Sequence, residues 1–323
     1  MSQSSPAAFK RVLILVFDGL SPSRVAEWVR AGELPAFARL MKEGAFGYLR
    51  SVVPPVTAPA SAALVTGTQP GKNGIFDFYD VDPEKLARTT TVNHLGKSRV
   101  PTVVELCNLL RISVGVFGIP MLYPVPKPND GFAVAGFGVP SNTRFAEPDP
   151  VYQLLREAGY APSGTTLNPS DPEVPDKLVE EMERRWEIFK LLWRKYDPTL
   201  TICWLPETDH ASHYFWDDHS KILRLYKAAD RILEQVLDEL DDDTLLIVAS
   251  DHGFTSIEAS FYPNALLWRS GFLFYKRSPI TPVKLIFTRL VRWARRKSPT
   301  LHAMAVWGVA KKPPLLVKAI KPF

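Results

Sequence analysis

Four short runs of apolar residues recur along the chain and predict buried strands. They are Val12–Phe17, Ser113–Gly118, Leu200–Leu205 and Leu245–Ala249. Apolar runs without alternation are typical of parallel strands that are covered on both faces. Stretches with helical spacing of apolar residues lie at Ser23–Lys42, Thr102–Leu110, Asp176–Lys195 and Ser220–Leu240. Because strands and helices alternate, the sequence predicts an α/β fold with a mostly parallel central sheet flanked by helices.

The pattern changes between these elements and towards the end of the chain. Prolines concentrate in Pro120–Pro128 and Pro140–Pro175, which predicts long loops over the strand ends. Phe261–Tyr275 is compatible with a helix and a strand, and Ser278–Phe323 is basic and apolar without a clear period. We therefore expect a core domain over residues 1–255. Residues 256–323 are expected to form a C-terminal extension or the start of an insertion or cap, with the C-terminal part of the fold incomplete.

Composition narrows the classes of protein that fit. Apolar content of 46% and charged content of 23% are ordinary globular values. The net charge of +5 permits an anionic substrate. Lys and Arg are spread out, so no nucleic-acid polymer is expected as a partner; Arg289–Lys297 is the exception and is interpreted as a solvated helix face rather than a membrane or nucleic-acid patch.

Two further features concern the compartment. Cys107 and Cys203 lie far apart inside apolar segments, which predicts buried free thiols in a reducing compartment. The apolar run that ends at Phe17 is too short for a signal-peptide core, and no other run is long enough to span a bilayer. The chain is expected to be cytoplasmic and without a membrane span.

Acidic and histidine side chains follow three of the four predicted strands. Asp18 follows the first strand, Asp209 and His213 the third, and Asp251 and His252 the fourth. The carboxyl ends of parallel strands meet at the edge where open α/β sheets bind ligands. Asp209 and His213 are four residues apart, so they share one face of a helical turn, which suits two ligands on one metal ion. The sequence predicts a metal site at this edge.

A hydroxyl residue is the candidate nucleophile. Thr57 lies in the proline-rich stretch Val53–Ser61, at a predicted helix start. A hydroxyl at that position meets the positive end of the helix, which favours its alkoxide and any phosphate that it attacks. Threonine needs a metal ion or a base to become a nucleophile, and the acid and histidine residues can supply one.

Six segments in order resemble the type I phosphodiesterase and nucleotide pyrophosphatase family of the alkaline phosphatase superfamily. They are VLILVFDGL, PPVTAPAS, LVTGTQPGKNGIFDF, VGVFGIPMLYPVP, TDHASHYFW and SDHGF. The resemblance implies two divalent metal ions, usually zinc, with manganese or magnesium as alternatives. One ion would be bound by Asp18, Thr57, Asp251 and His252, with Thr57 as the nucleophile that forms a phospho-threonine intermediate. Asp209 and His213 would bind the second, and the substrate would be a small phosphoester.

The chain departs from the family pattern at two places. A further histidine of the second metal site normally comes from a glycine-rich downstream segment, whereas here His302 is the sole histidine after His252 and lacks that context. An asparagine that contacts phosphate in nucleotide-cleaving members aligns with Phe78. Asn73 and Phe78 are the candidate substrate-binding residues.

The neighbouring residues have plainer interpretations. His210 is expected to be exposed or to lie behind the ligands, and His219 to start a helix. Trp204, Phe215 and Trp216 are expected in the core or the pocket wall.

Three hypotheses about function follow. The first is a metal-dependent phosphoric ester hydrolase of the phosphodiesterase or nucleotide pyrophosphatase type. The second is a phosphate monoesterase or phospho-group transferase that uses the same site. The third is a non-catalytic or truncated binding protein that lacks the last ligand of the second metal site. The oligomeric state is not predicted.

Overall fold

The computed structural model describes residues 9–82, 87–92, 94–140, 142–164, 167–168 and 171–274. The chain divides into two compact units, Met1–Ser256 and Ile257–Phe323, and each is described by itself.

A six-stranded sheet forms the centre of the first unit. The strands of the described residues are β1 (Arg11–Phe17), β2 (Tyr79–Asp82), β3 (Ala87–Val92), β4 (Val114–Ile119), β5 (Gly131–Ala135), β6 (Ala146–Glu147), β7 (Leu200–Leu205) and β8 (Thr244–Ala249). The order in the sheet is β6-β5-β4-β7-β1-β8, and β2 and β3 form a separate antiparallel hairpin. All pairings in the sheet are parallel except that of β6 with β5. The predicted fold class is confirmed, and the four predicted strands are β1, β4, β7 and β8.

Helices cover both faces of the sheet. They are α1 (Pro22–Arg30), α2 (Pro35–Glu43), α3 (Thr57–Thr66), α4 (Pro70–Asn73), α5 (Val103–Leu110), α6 (Asp149–Glu157), α7 (Val174–Tyr196), α8 (Glu207–Phe215) and α9 (His219–Glu239), with a 3₁₀ turn at Leu95–Lys97. The helix predicted over Ser23–Lys42 is two helices, because the chain turns at Gly32, where φ is +75°. A positive φ is accessible to glycine and ends the first helix.

The proline-rich stretch Pro140–Pro175 is only partly the loop that its composition predicts. It contains β6 and α6, and α7 begins inside it. The prolines of α6 and α7 stand in the first helical turn. The missing backbone N–H of proline has no partner within the helix at that position anyway, so proline is compatible with a helix start.

The core consists of two apolar layers on opposite faces of the sheet. Leu13, Leu15 and Phe17 of β1 pack into the layer that includes residues of α1, α2, α7 and α9. Val16 packs into the other layer, with residues of α3 and α5. Residues of a strand point alternately to its two faces, so a continuous apolar run serves both layers. Cys107 and Cys203 are buried free thiols, as predicted.

The second unit contributes one helix to the described residues, α10 (Pro263–Arg269). The helix expected within Phe261–Tyr275 is therefore present, whereas the described part of this unit contains no strand. Arg289–Lys297 and His302 lie outside the described residues. Among the helices that are described, none combines the length and the apolar character needed to cross a membrane.

Candidate metal centre

Sheet register brings two acidic residues together at the carboxyl edge. β1 and β8 pair in parallel with Val16 opposite Ala249, so Asp18 and Asp251, two residues further along each strand, leave the sheet side by side. The next residue, His252, places Nε2 3.2 Å from Asp251 Oδ2 and 3.5 Å from Asp18 Oδ1. Both carboxylates are almost fully buried, and the His252 side chain is 12% exposed.

Thr57 joins these residues from the opposite side of the edge. It is the first residue of α3, as predicted, and is buried. Its Oγ1 lies 3.0 Å from His252 Nε2 and 3.4 Å from Asp18 Oδ1. The segment before α3 is fixed to the same place, since the Ser51 hydroxyl donates to the backbone oxygen of Asp251. Asp18, Thr57, Asp251 and His252 are called the strand-end cluster below.

Asp209 and His213 lie on α8 and are called the helical pair. Asp209 Oδ2 is 3.5 Å from His213 Nε2, so the predicted spacing does place both side chains on one face. Asp209 also approaches the strand-end cluster, because ligand atoms of Asp18, Asp209 and His252 all lie within 4.8 Å of one another. The His213 side chain is 63% exposed. Within the described residues, His213 belongs to no group of three such ligands, and His302 lies outside them.

Gly19 allows α8 to come this close. Its φ is +64°, and a Cβ built on it would lie 3.1 Å from Cα, Cβ and Oδ1 of Asp209. Its backbone N–H donates to Asp251 Oδ1 at 3.1 Å. A glycine at this position lets the backbone approach a neighbour closely, and Asp209 is that neighbour.

Burial has the largest effect on the electrostatics of the site, and repulsion between neighbouring carboxylates adds to it. Burial, followed by the charges of Asp251 and Asp209, raises the pKa of Asp18 well above its ordinary value. Burial also raises the pKa of Asp209, with His213 and His252 opposing it. Asp251 Oδ2 is buried and has no hydrogen-bond partner. Buried charges of one sign need a compensating charge of the other sign.

A divalent cation fits this arrangement. A tetrahedral ion with bonds of about 2.0–2.1 Å keeps its ligand atoms about 3.3 Å apart. The four separations of 3.0, 3.2, 3.4 and 3.5 Å within the strand-end cluster are close to that value. Carboxylate oxygen, hydroxyl oxygen and imidazole nitrogen are suitable ligands for zinc and manganese. The donor set and its spacing therefore match a metal site.

Trp204 contacts the candidate site, and the sequence pattern does not predict this contact. It is fully buried on β7, in agreement with its expected place in the core. Its indole Nε1–H also donates to Asp18 Oδ2 at 3.0 Å and orients that carboxylate. The residue pairs with Val16 of β1, so strand pairing would have been needed to find it.

Aromatic side chains line the exposed side of the helical pair. The Phe254 ring lies 4.8 Å from the His213 ring and 5.7 Å from the Trp216 ring. Trp216 is half-buried, which agrees with a place in the wall, and Phe215 is buried. The Arg24 guanidinium lies over Trp216, 4.3 Å from the ring centroid.

The predicted substrate-binding residues have local partners instead. Asn73 is buried, donates to the backbone oxygen of Thr68 at 2.9 Å and accepts from the Ile75 N–H at 2.9 Å. Phe78 packs near Phe137, with ring centroids 5.9 Å apart. These contacts stabilise their own loops, and a substrate contact by either residue stays a prediction.

Two histidines near the helical pair are not ligands in this arrangement. His210 is half-buried behind the ligands, and burial lowers its pKa to about 4, so the imidazole is neutral near pH 7. His219 is the first residue of α9, as expected.

An α/β fold with carboxylate and histidine side chains at the carboxyl edge of a parallel sheet is typical of proteins that bind a ligand at that edge. The sequence profile described as type I phosphodiesterase / nucleotide pyrophosphatase matches residues 12–309. The chain belongs to this family. No curated protein sequence matches the chain.

Comparison with solved structures finds similar folds. Phosphonoacetate hydrolase from Sinorhizobium meliloti 1021, in complex with phosphonoacetate, is similar with a TM-score of 0.62 and 16% identity over 82% of this chain and 63% of that one. A variant of the alkaline phosphatase PafA gives a TM-score of 0.53 and 16% identity over 88% of this chain and 70% of that one. Murine ectonucleotide pyrophosphatase / phosphodiesterase 5, in complex with AMP, gives 0.44 and 17% identity over 76% and 57%. The chain spans less than two thirds of the phosphonoacetate hydrolase, and these likenesses concern the fold.

Proposed function

We propose that the chain is a metal-dependent hydrolase of phosphodiester or pyrophosphate bonds with Thr57 as its nucleophile. The observation that carries the proposal is the position of the Thr57 hydroxyl. It stands at the amino end of α3, with Oγ1 3.0 Å from His252 Nε2 and 3.4 Å from Asp18 Oδ1. Membership of the phosphodiesterase family supports the reaction class.

The residues of the strand-end cluster prepare the hydroxyl for attack. Thr57 donates a hydrogen bond to Asp18 Oδ1, so its proton already points to an acceptor. Trp204 holds the other oxygen of that carboxylate and thereby fixes its orientation. The free N–H groups at the amino end of α3 favour negative charge on Thr57 and on a phosphate beside it.

Two divalent ions are part of the proposal, zinc first and manganese or magnesium as alternatives. Asp18, Thr57, Asp251 and His252 would hold one, and Asp209 and His213 would contribute to the second. When bound, such ions lower the pKa of a hydroxyl ligand and neutralise charge on phosphoryl oxygens. The ligands must be deprotonated to bind, so the raised pKa of Asp18 makes uptake of the ion dependent on pH.

The direct test replaces Thr57 with alanine. With bis(4-nitrophenyl) phosphate as substrate, Thr57→Ala is expected to lower kcat by about 10³-fold or more, since residual activity would rest on binding alone. Ser61→Ala, one turn along the same helix, removes a buried hydroxyl that bonds to Ala58 O instead, and it should keep most activity. Unchanged hydrolysis by Thr57→Ala, or full activity after removal of metal ions with a chelator, would refute the proposal.

The alternatives make different predictions with the same protein. A monoesterase or phosphotransferase would hydrolyse 4-nitrophenyl phosphate, or transfer its phosphoryl group to an alcohol, faster than it cleaves the diester. A non-catalytic binding protein would carry at most one tightly bound ion per chain and show no turnover of either ester. Elemental analysis that gives two ions per chain would exclude that third possibility.

A further inference from the structure

The helical pair depends on where α8 begins. α8 starts at Glu207, directly after β7 and the single residue Pro206. Two contacts fix its first turn to the strand-end cluster: the Thr208 hydroxyl donates to the backbone oxygen of Asp18, and Asp209 lies against Gly19. Both contacts are made with Asp18 and Gly19, which follow β1. Other residues must hold the side of the first turn that faces away from β1.

A buried ion pair holds that other side. The Glu207 carboxylate is 1% exposed, and its Oε1 lies 2.8 Å from Nε of Arg185 on α7. Neither of its oxygens has a well-aligned hydrogen bond, so charge attraction is what joins the two side chains. The guanidinium is held in turn by Glu181 Oε1 at 3.0 Å, by the Tyr160 hydroxyl at 3.2 Å and by Ala161 O at 3.1 Å.

Stability alone does not explain such a pair. The Glu207 carboxylate is 1% exposed and neither of its oxygens has a hydrogen-bond partner, so burying this charge is costly. Replacing buried ion pairs with apolar residues of similar volume is often neutral or stabilising. In some proteins a buried ion pair instead gives the element that carries it a defined position.

We infer that Arg185 and Glu207 are positioning residues that fix the first turn of α8. The helical pair on α8 is thereby held in the position needed to bind the second metal ion. The inference rests on the proposed two-metal function. Arg185 acts through Glu207, and Glu207 acts through the helix backbone that joins it to Asp209. Loss of the pair should therefore weaken the second ion and leave the first one bound.

The test measures metal affinity rather than turnover. In the double variant Arg185→Met/Glu207→Leu both charges are replaced by apolar side chains, which preserves packing. Titration of metal-free protein with Zn²⁺ by calorimetry is expected to show the tighter site within threefold of the parent and the weaker site weakened roughly tenfold or more, the range seen when supporting partners of ligands are removed. If the double variant does not fold, Glu207→Gln keeps the side-chain shape and should also weaken the second site. Arg185→Lys keeps the positive charge, so its second site should be weakened less than that of the double variant.

The control is Arg194→Met. Arg194 lies on α7, as Arg185 does, and its exposed ion pair with Glu239 of α9 is lost in this variant, which should change neither affinity. Unchanged affinity of the second ion in the double variant would overturn the inference, as would equal weakening of both ions. A parent chain that takes up a single ion would also overturn it, because the helical pair would then have no ion to be positioned for. The metal titration does not involve Thr57→Ala, so it tests the role of Arg185 and Glu207 separately from the role of Thr57 as nucleophile.

Discussion

The strand-end cluster and the helical pair contain similar ligands but are built in different ways. Asp18 and Asp251 are fixed by the hydrogen-bonded register of two neighbouring strands, and both are almost fully buried. Asp209 and His213 are fixed by one helical turn, and His213 is 63% exposed. The positions of the strand-end cluster therefore depend on the hydrogen-bonded sheet, whereas the positions of the helical pair depend on how α8 is held.

Burial explains why the two sets should also differ electrostatically. Interactions between charges strengthen as water is excluded, so a cation among the buried carboxylates is held more strongly than one beside an exposed imidazole. The pKa of Asp18 is raised first by burial and then by the neighbouring charges of Asp251 and Asp209. We expect the strand-end cluster to bind the tighter ion and the helical pair the weaker one.

The largest effect is expected from a ligand of the strand-end cluster. His252→Ala removes a ligand atom that lies within 3.5 Å of Thr57, Asp251 and Asp18. Several kcal/mol of transition-state stabilisation depend on such an ion, which corresponds to a loss of about 10³-fold in kcat/KM. Elemental analysis should report the loss of the tighter ion. Two ions and normal activity in this variant would remove the distinction between the two regions.

A smaller effect is expected from the exposed member of the helical pair. His213→Ala should lower the affinity of the weaker ion and reduce kcat/KM by about 10²-fold, while the tighter ion stays bound. The effect is smaller than that of His252→Ala because water around an exposed ligand weakens its interaction with the ion. Metal titration and steady-state rates on the diester measure both quantities. The matched control is His219→Ala at the exposed start of α9, which should behave as the parent. If His213→Ala loses both ions together, the two sites are not separable.

A substitution at Gly19 tests the contact between the strand-end cluster and the helical pair. Gly19→Ala and Gly32→Ala each place a side chain at positive φ, which costs about 1–2 kcal/mol of unfolding free energy. A Cβ at Gly32 meets nothing within 4 Å, whereas one at Gly19 meets Asp209 at 3.1 Å. Gly19→Ala should therefore lower activity further, by roughly tenfold, since small displacements of reacting groups are costly. Equal activities of the two variants would show that the close approach has no functional consequence.

The smallest expected effect concerns pH. The folded-state pKa of Asp18 is raised, whereas its unfolded value is about 3.9. Its contribution to stability is therefore fully present below about pH 4 and is lost as pH rises through the folded-state pKa. The free energy of unfolding of the metal-free protein should fall with rising pH more steeply in the parent than in Asp18→Asn. Denaturant unfolding of the metal-free proteins over a pH series measures this slope. A parent curve parallel to that of Asp18→Asn would contradict the raised pKa of Asp18.

Prediction from the sequence succeeded where one element carries its own signal. The strands β1, β4, β7 and β8 were found because a short apolar run rich in β-branched residues is typical of a buried strand. β5 (Gly131–Ala135) was not found, since the strand is only five residues long and contains a single β-branched residue, although all five residues are buried. α6 was hidden by the prolines around it.

The residues of the candidate site also divide into those with a local sequence signal and those without one. Each member of the strand-end cluster follows a recognisable strand or starts a helix, so the residues were found one at a time. Trp204 and Arg185 were not, because each acts through a partner that is remote in the chain, Asp18 and Glu207 respectively. Nothing in the local pattern separates an indole that supports a ligand from one that only packs.

Apolar periodicity and local motifs are properties of neighbouring residues, so they were enough to predict the layered α/β fold, the family and the residue types at the carboxyl edge of the sheet. How those residues meet depends on tertiary packing. Strand register set Asp18 beside Asp251, the absence of a side chain at Gly19 admitted Asp209, and a buried ion pair placed the start of α8. Distances between remote groups follow from packing, and packing is decided by the whole chain at once.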